Sequence, residues 1–193
     1  MYDHFKGTLT SITPTQAVIE CGGVGYVLHI SLVTFSAIKD HSSVKLLAHL
    51  IVREDAQELY GFATDEERAL FRQLISVSGV GASTARMILS YMPPDELRSK
   101  IASSDNVSLQ RIKGIGSKTA QRIIIDLRDK VLKTAGETVF SVAPHNTVRS
   151  EALSALIILG FGRPNAEKAI DQALRQLPAG SVEMIIKIAL NLL

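Results

Sequence analysis

Two glycine-containing segments carry the same pattern 35 positions apart: residues 74–89 (LISVSGVGASTARMIL) align without a gap with residues 109–124 (LQRIKGIGSKTAQRII). In each segment two glycines enclose one apolar residue, Val80 or Ile115, which is expected to pack into the core, and small or hydroxyl-bearing residues follow. Glycine permits the backbone angles of a tight turn and the close approach of another group. A helix that begins after such a turn offers free N–H groups and a partial positive charge, which bind phosphate. The pattern therefore predicts two helix-hairpin-helix elements that bind the DNA backbone.

The candidate DNA-binding residues are the four glycines and the polar residues next to them. Hydroxyl groups would add hydrogen-bond donors and cations would add charge, and such contacts bind the backbone without reading the base sequence. Residues 109–122 hold four cations and no acid, whereas Ala82 and Ser83 stand where the first copy would need cations. The second copy is therefore predicted to bind DNA more strongly. The predicted set is Gly79, Gly81, Ser83, Thr84, Lys113, Gly114, Gly116, Ser117, Lys118 and Arg122.

The same glycines also have a purely structural interpretation, in which each pair ends one helix and lets the next begin. Two copies in matched register, the second rich in cations, favour DNA binding over this interpretation. A dinucleotide-binding motif is excluded because Thr84 and Thr119 replace its third glycine and a helix comes before the turn. The segment GSKT lacks the upstream glycine of a P-loop, and Ser117 replaces the glycine before its lysine. A nucleotide hydrolase is therefore disfavoured.

Two adjacent acids, Glu54 and Asp55, lie between strand-like segments and are predicted to form the tip of a hairpin. The simplest interpretation is a solvated turn. A second is half of a metal or general acid–base site, although no third carboxylate or histidine lies in register. A third is electrostatic, because carboxylates held against DNA repel phosphates and can keep strands apart. The residues alone leave all three interpretations open.

The elements that must position these residues fall into an N-terminal strand region and a longer helical region, which predicts an α+β multidomain fold. Residues 1–63 contain five short segments rich in β-branched and aromatic residues, separated by turn signals. Five strands in this length suggest a closed OB-type β-barrel. The segment LVTFSAIK is predicted to form a single helical turn between the third and fourth strands.

Helical periodicity begins at Thr64, which with Glu67 is predicted to form a capping box. Residues 64–133 are predicted to form the central helical domain that carries the two hairpins. Residues 134–147 gather Gly, Pro, Ser and Thr and are predicted to be a flexible linker. Residues 148–193 contain three amphipathic patterns and predict a small three-helix bundle.

Charge is distributed unevenly: residues 1–63 have a net charge of −2, residues 64–135 of +4, and residues 150–193 hold four cations and four acids. An anionic partner is therefore expected at the middle segment and a protein partner at the bundle. The single Cys21 and the scattered histidines predict no metal site and no cofactor. No signal sequence and no stretch of about 18 apolar residues occurs, so the expected location is the cytoplasm, without membrane contact.

These features together resemble the RuvA family, whose members are the DNA-binding subunits of the bacterial Holliday-junction branch-migration complex. The resemblance rests on a barrel ending in VREDAQELYGF, the hairpins SGVGAST and KGIGSKTAQRI, a linker and a helical bundle, and it covers essentially the whole chain. It implies that Glu54 and Asp55 form an acidic pin that separates strands at the crossover. The family often has cations where this chain has Ser83 and Ser117, so binding at those points is expected to be weaker.

The resemblance also implies partners. It implies a homotetramer, with one or two tetramers (an octamer) on each four-way junction. Residues 148–193 would contact a RuvB-type hexameric ATPase, and a RuvC-type resolvase would act on the same junction. The chain itself would catalyse no reaction and would serve DNA recombination, repair and the SOS response to DNA damage in the bacterial cytoplasm.

Two rival functions stay open at the level of the sequence. One is a module that binds duplex DNA without preference for a junction. The other is a nuclease that uses Glu54, Asp55 and a divalent metal.

Overall fold

The computed structural model describes residues 1–137, 144–178 and 180–193. It divides into two compact units, Met1–Ala135 and Gly136–Leu193. The first unit contains the strands and both glycine hairpins, and the second contains the C-terminal helices.

The N-terminal strands close into the five-stranded OB-type barrel that the sequence predicts. Neighbouring strands follow the order β1-β2-β3-β5-β4, and β4 pairs back onto β1. The β3–β5 pair is parallel and the other pairs are antiparallel, so every strand has two partners. The strands are β1 (His4–Thr13), β2 (Gln16–Cys21), β3 (Val24–Ile30), β4 (Ser43–Val52) and β5 (Gln57–Phe62).

Strand residues alternate between the barrel interior and its surface, as the two-residue period of a strand requires. In β2, for example, Ala17 and Ile19 are fully buried whereas Glu20 is exposed. Gly7 is required where β1 meets β2, because a Cβ there would lie 2.0 Å from the carbonyl oxygen of Glu20. The barrel thus has its own apolar core.

A short helix, α1 (Leu32–Ile38), connects β3 to β4 and is longer than the single turn predicted. Seven residues make about two turns, at 3.6 residues per turn. Ser31 starts it, because its side chain accepts a hydrogen bond from the backbone N–H of Thr34.

Five helices complete the first unit as the structure describes it, and their core is continuous with one side of the barrel. Tyr60 and Phe62 of β5 lie in the same apolar cluster as the helical residues. The helices are α2 (Asp65–Ile75), α3 (Ala82–Tyr91), α4 (Pro94–Ala102), α5 (Asn106–Gln110) and α6 (Ser117–Glu137).

The predicted capping box at the start of α2 is only half formed. The Thr64 hydroxyl accepts a 3.2 Å hydrogen bond from the backbone N–H of Glu67, as predicted. The Glu67 carboxylate does not return to Thr64 and instead accepts hydrogen bonds from Ser31 and Thr34 at the start of α1. A long-range contact has replaced the local one.

The second unit contains α7 (Pro144–Ile158), α8 (Arg163–Gln176) and α9 (Val182–Leu190), which pack around Leu156, Ile170 and Ile185. These are the three helices predicted for the bundle, though α7 begins before residue 148.

The predicted linker at 134–147 is too long at both ends, because α6 continues to Glu137 and α7 begins at Pro144. A proline is favourable at the first position of a helix, where its missing N–H has no partner to lose. Residues 138–143, where the rest of the predicted linker falls, lie outside the described residues.

Candidate nucleic-acid interface

The two glycine hairpins have the same backbone conformation. The first glycine of each pair occupies the left-handed region, with φ of +89° at Gly79 and +88° at Gly114. One backbone hydrogen bond of 3.0 Å closes each turn, from Val80 N–H to Val77 and from Ile115 N–H to Ile112. A side chain with a Cβ would strain the backbone at either first glycine. The repeat in the sequence is therefore a repeat in three dimensions.

The second glycine of each pair marks the start of the next helix. Gly81 accepts the N–H of Ala85 at 2.9 Å, and Gly116 accepts the N–H of Ala120 at 3.0 Å. The first N–H groups of a helix have no partner within the helix, and no side chain caps α3 at its N-terminus. A Cβ built on Gly81 or Gly116 would meet nothing within 4 Å. Both helix starts are thus open to an anion, and the fold of the free protein does not itself require glycine at these two positions.

An apolar residue fixes each turn to the core, as the pattern of the two segments implies. Val80 and Ile115, which stand between the glycines, are both only 5% exposed. Val77 and Ile112, three residues earlier, are both 2% exposed. Matched burial on the inside holds the two turns in the same conformation while their glycines face solvent.

The polar members of the predicted set lie on these turns or in the first two turns of the helix that follows. Lys113, Ser117, Lys118 and Arg122 are exposed in the second copy. In the first copy Ser83 is exposed and Thr84 is half-buried.

Arg122 lies closer to the first hairpin than the sequence suggests. It belongs to α6, yet its Nη1 atom is 3.9 Å from the position that a Cβ would take on Gly79. The first hairpin therefore has a cation beside its turn, although its own residues supply none there. The sequence pattern assigns Arg122 to the second hairpin because it cannot reveal contacts between the two copies.

The acidic pair lies at the tip of the predicted hairpin. The last pair of β4 and β5 is Val52 with Gln57, and the Arg53 N–H donates to the Ala56 carbonyl at 2.8 Å. That leaves Glu54 and Asp55 as the exposed two-residue loop. Within the described parts of the chain, neither side chain has a hydrogen bond or an ion pair, so both carboxylates are available to an external group.

Metal ligands are not gathered at this loop or elsewhere among the residues that the structure describes. No group of three or more His, Cys, Asp and Glu side chains there could hold a metal ion.

The helix before the first hairpin, α2, is joined to α1 through the buried carboxylate of Glu67. Its side chain accepts hydrogen bonds from Ser31 and, at 2.6 Å, from Thr34. Burial raises the pKa of Glu67, and the hydroxyl donors act against that shift. The Thr34 hydroxyl also accepts the backbone N–H of Ala63 at 3.1 Å. The start of α2 is thus tied to α1 by a compact polar cluster.

Further hydrogen bonds join α2 and α3 to the barrel. Arg68 binds the carboxylate of Asp3 at 2.8 Å, which lowers the pKa of Asp3 to about 2 with a smaller contribution from His4. Arg86 donates to the carbonyl of Thr15 at 2.9 Å. Within residues 109–124, no side chain makes a hydrogen bond or ion pair with the barrel. Hydrogen bonds thus attach the helices of the first hairpin to the barrel, whereas the second hairpin carries the exposed cations.

The C-terminal bundle presents apolar side chains at the end of α7. Ile157, Ile158 and Leu159 are all exposed, Ile158 most of all, at 85%. Arg149 and Asp171 link α7 to α8 through a 2.8 Å ion pair. Among the described residues, no helix is long and apolar enough to cross a membrane.

Known protein families match almost the whole chain. The RuvA N terminal domain matches residues 1–61, the SAM-like helix-hairpin-helix tandem matches residues 71–129, and the RuvA C-terminal domain matches residues 147–193. The first two stretches correspond to the barrel and to the two hairpins.

Full-length relatives agree with these matches. The chain is 53% identical over 191 residues to a protein of Christiangramia forsetii, and 99% of each chain is covered. It is 48% identical over 191 residues to one of Flavobacterium psychrophilum, again with 99% of each chain covered. It is 46% identical over 202 residues to one of Porphyromonas gingivalis, with 100% of each covered. All three are named Holliday junction branch migration complex subunit RuvA. Identity at this level over the full length means that the chain belongs to the RuvA family.

Proposed function

We propose that this chain binds four-way (Holliday) junction DNA as the DNA-binding subunit of a branch-migration complex. The observation that carries the proposal is the matched geometry of two open helix N-termini, at Gly81 and Gly116, in a chain of the RuvA family. The names of its relatives support the junction as the substrate.

In this proposal the hairpins bind the phosphate backbone of the junction arms. Backbone N–H groups at the two helix starts would bind phosphate oxygens, and the glycines would let them approach closely. Such contacts position the protein without reading the base sequence. Each phosphate contact makes binding more sensitive to salt, with log K falling by about 0.9 per tenfold rise in salt. The proposed DNA-binding residues are Gly79, Gly81, Ser83, Thr84, Lys113, Gly114, Gly116, Ser117, Lys118 and Arg122.

The acidic pin of Glu54 and Asp55 acts at the crossover. Its exposed carboxylates repel phosphates, so they would guide the strands apart where the arms exchange partners. This role needs no metal and no bond-breaking step, and the chain works without catalytic residues of its own.

Several copies act together. A four-way junction has four equivalent arms, so a tetramer with fourfold symmetry would place one pair of hairpins on each arm and the acidic loops at the centre. A second tetramer on the other face of the junction would make an octamer.

The C-terminal bundle at 148–193 contacts the partner that supplies free energy, a hexameric ATPase of the RuvB type. Its five cations and four acids nearly balance, which makes it a poor DNA-binding surface, and the exposed Ile157, Ile158 and Leu159 offer an apolar contact surface. A RuvC-type resolvase acts on the same junction. The complex works in the bacterial cytoplasm during recombination, DNA repair and the SOS response.

A competition gel-shift experiment tests the junction preference. The full-length protein is titrated with a four-way junction and with a linear duplex that has the sequence of two of its arms. We expect much tighter binding to the junction, because only the junction engages all four pairs of hairpins at once. Equal affinity for the two substrates would show a general duplex-binding module instead.

A further inference from the structure

A cation stands directly beside the proposed acidic pin. Arg53 precedes Glu54 and Asp55 in the chain, and it is the one residue of the hairpin 53–58 with a positive charge. Charges this close interact well within the screening length of about 8 Å at physiological ionic strength. An Arg53 guanidinium directed at the tip would therefore offset the repulsion between the pin and phosphates.

Arg53 is instead directed to Glu58 on the neighbouring strand. The Arg53 Nη2 atom lies 3.4 Å from Oε2 of Glu58, and no ion pair joins Arg53 to Glu54 or Asp55. The side chain of Arg53 is 54% exposed and that of Glu58 is 30% exposed. An ion pair with this exposure contributes little to stability. Its effect is instead to fix the position of the positive charge of Arg53.

Glu58 is itself fixed by the core of the first unit. The Tyr60 hydroxyl donates to the same Oε2 atom at 3.2 Å. The Tyr60 ring is buried, and its centroid lies 5.0 Å from that of Phe71 in α2. The carboxylate that holds Arg53 is thus supported by packing between the barrel and the helical region.

We infer that Glu58 is a positioning residue that keeps the tip of this hairpin acidic by holding the guanidinium of Arg53 away from Glu54 and Asp55. The inference rests on the proposed action of the pin at the junction crossover. The hairpin 53–58 carries a net charge of −2, from three acids and one cation. Replacing Glu58 by glutamine lowers the magnitude of that charge and frees Arg53 to pair with the tip or with DNA.

A four-way junction with 2-aminopurine at the crossover reports the effect, since the fluorescence of this base rises when it unstacks. The full-length protein should produce a rise, and Glu54→Gln/Asp55→Gln should lose most of it. We expect Glu58→Gln to lose part of the rise, and Arg53→Gln/Glu58→Gln to recover it, because the released cation is then absent. Glu20→Gln, an exposed acid in β2, makes the same change in net charge and should behave like the wild type.

The thermal midpoint of unfolding should be unchanged in Glu58→Gln, which separates loss of function from loss of fold. The inference is overturned if Glu58→Gln gives the wild-type rise, or if the double variant recovers nothing. If Glu54→Gln/Asp55→Gln keeps the full rise, the proposed role of the pin is itself wrong. If Glu54→Gln/Asp55→Gln loses the rise but Glu58→Gln does not, the proposed role of the pin is supported and the proposed role of Glu58 is wrong.

Discussion

The two hairpins share one backbone conformation and differ in what surrounds it. Both place their first glycine near φ +90°, close the turn with a 3.0 Å hydrogen bond and bury one apolar residue. The first, at 74–89, is tied to the barrel through Arg86, and the helix before it is tied to α1 through Glu67, whereas the second, at 109–124, carries the exposed cations. We therefore expect the repeated backbone to bind phosphate in both copies, with the hydrogen bonds to the barrel in the first copy and the exposed cations in the second.

The largest expected effect comes from filling the open space at both helix starts. Gly81→Val/Gly116→Val should abolish junction binding while the midpoint of unfolding stays near that of the wild type, because neither Cβ meets an atom within 4 Å. Binding is measured by fluorescence anisotropy and unfolding by circular dichroism.

Gly162→Val is the matched control for that variant. Gly162 also precedes a helix in extended backbone with nothing near its Cβ position, but it lies in the C-terminal bundle. It should leave junction binding unchanged. Wild-type affinity in Gly81→Val/Gly116→Val would mean that close approach of DNA to these helix starts is not how the chain binds.

A smaller effect is expected from Arg122, which belongs to the second hairpin but lies beside Gly79 of the first. If Arg122 serves both hairpins, Arg122→Gln should weaken junction binding more than Lys113→Gln does. The loss should be roughly tenfold or more, since a hydrogen bond to a charged group contributes about 1.5–3 kcal/mol. Equal losses in the two variants, measured by anisotropy at one salt concentration, would confine Arg122 to the second hairpin.

Moving a charge between the copies should have a smaller effect again. Ser83 and Lys118 occupy equivalent positions, so Ser83→Lys should strengthen binding and Lys118→Ser should weaken it. The slope of log K against log salt should change by about 0.9 in opposite directions. The double variant Ser83→Lys/Lys118→Ser should have a slope of log K against log salt close to that of the wild type. A slope that does not respond to Ser83→Lys would show that the first hairpin contacts no phosphate at that point.

The smallest effect concerns Glu67, whose buried carboxylate ties the start of α2 to α1. The pKa of Glu67 is raised in the folded state, so above about pH 4.5 this carboxyl group binds a proton more readily in the folded protein than in the unfolded chain. The contribution of Glu67 to stability should therefore fall as pH rises from there through its folded pKa. Glu67→Gln removes this group from the titration.

The two proteins should consequently differ in how their stability changes with pH. Between pH 4.5 and pH 7 the free energy of unfolding of the wild type should decline relative to that of Glu67→Gln, as measured by urea denaturation. Parallel pH profiles would mean that the Glu67 carboxyl titrates alike in the folded and unfolded states.

Local patterns in the sequence predicted most of the fold. Alternating strand residues indicated the barrel, and the register of the two glycine pairs indicated hairpins with buried Val80 and Ile115. What escaped prediction depends on contacts between distant residues. Glu67 looked like half of a capping box because its partners, Ser31 and Thr34, lie more than thirty positions earlier.

The candidate site shows the same division between local and distant contacts. The hairpin tip at Glu54 and Asp55 follows from neighbouring strand patterns and turn residues. The position of Arg122 beside Gly79 requires the packing of α6 against the first hairpin, which no spacing within one copy reveals. The start of α7 at Pro144 was missed because proline and its polar neighbours also fit a linker.

Hydroxyl-radical footprinting of the complex with a four-way junction tests most directly whether both copies bind DNA. Two protected backbone segments are expected on each arm, one for each hairpin. Gly81→Val should remove one segment and Gly116→Val the other. A single protected segment that Gly81→Val leaves intact would contradict the account, because the first hairpin would then be only a structural copy of the second.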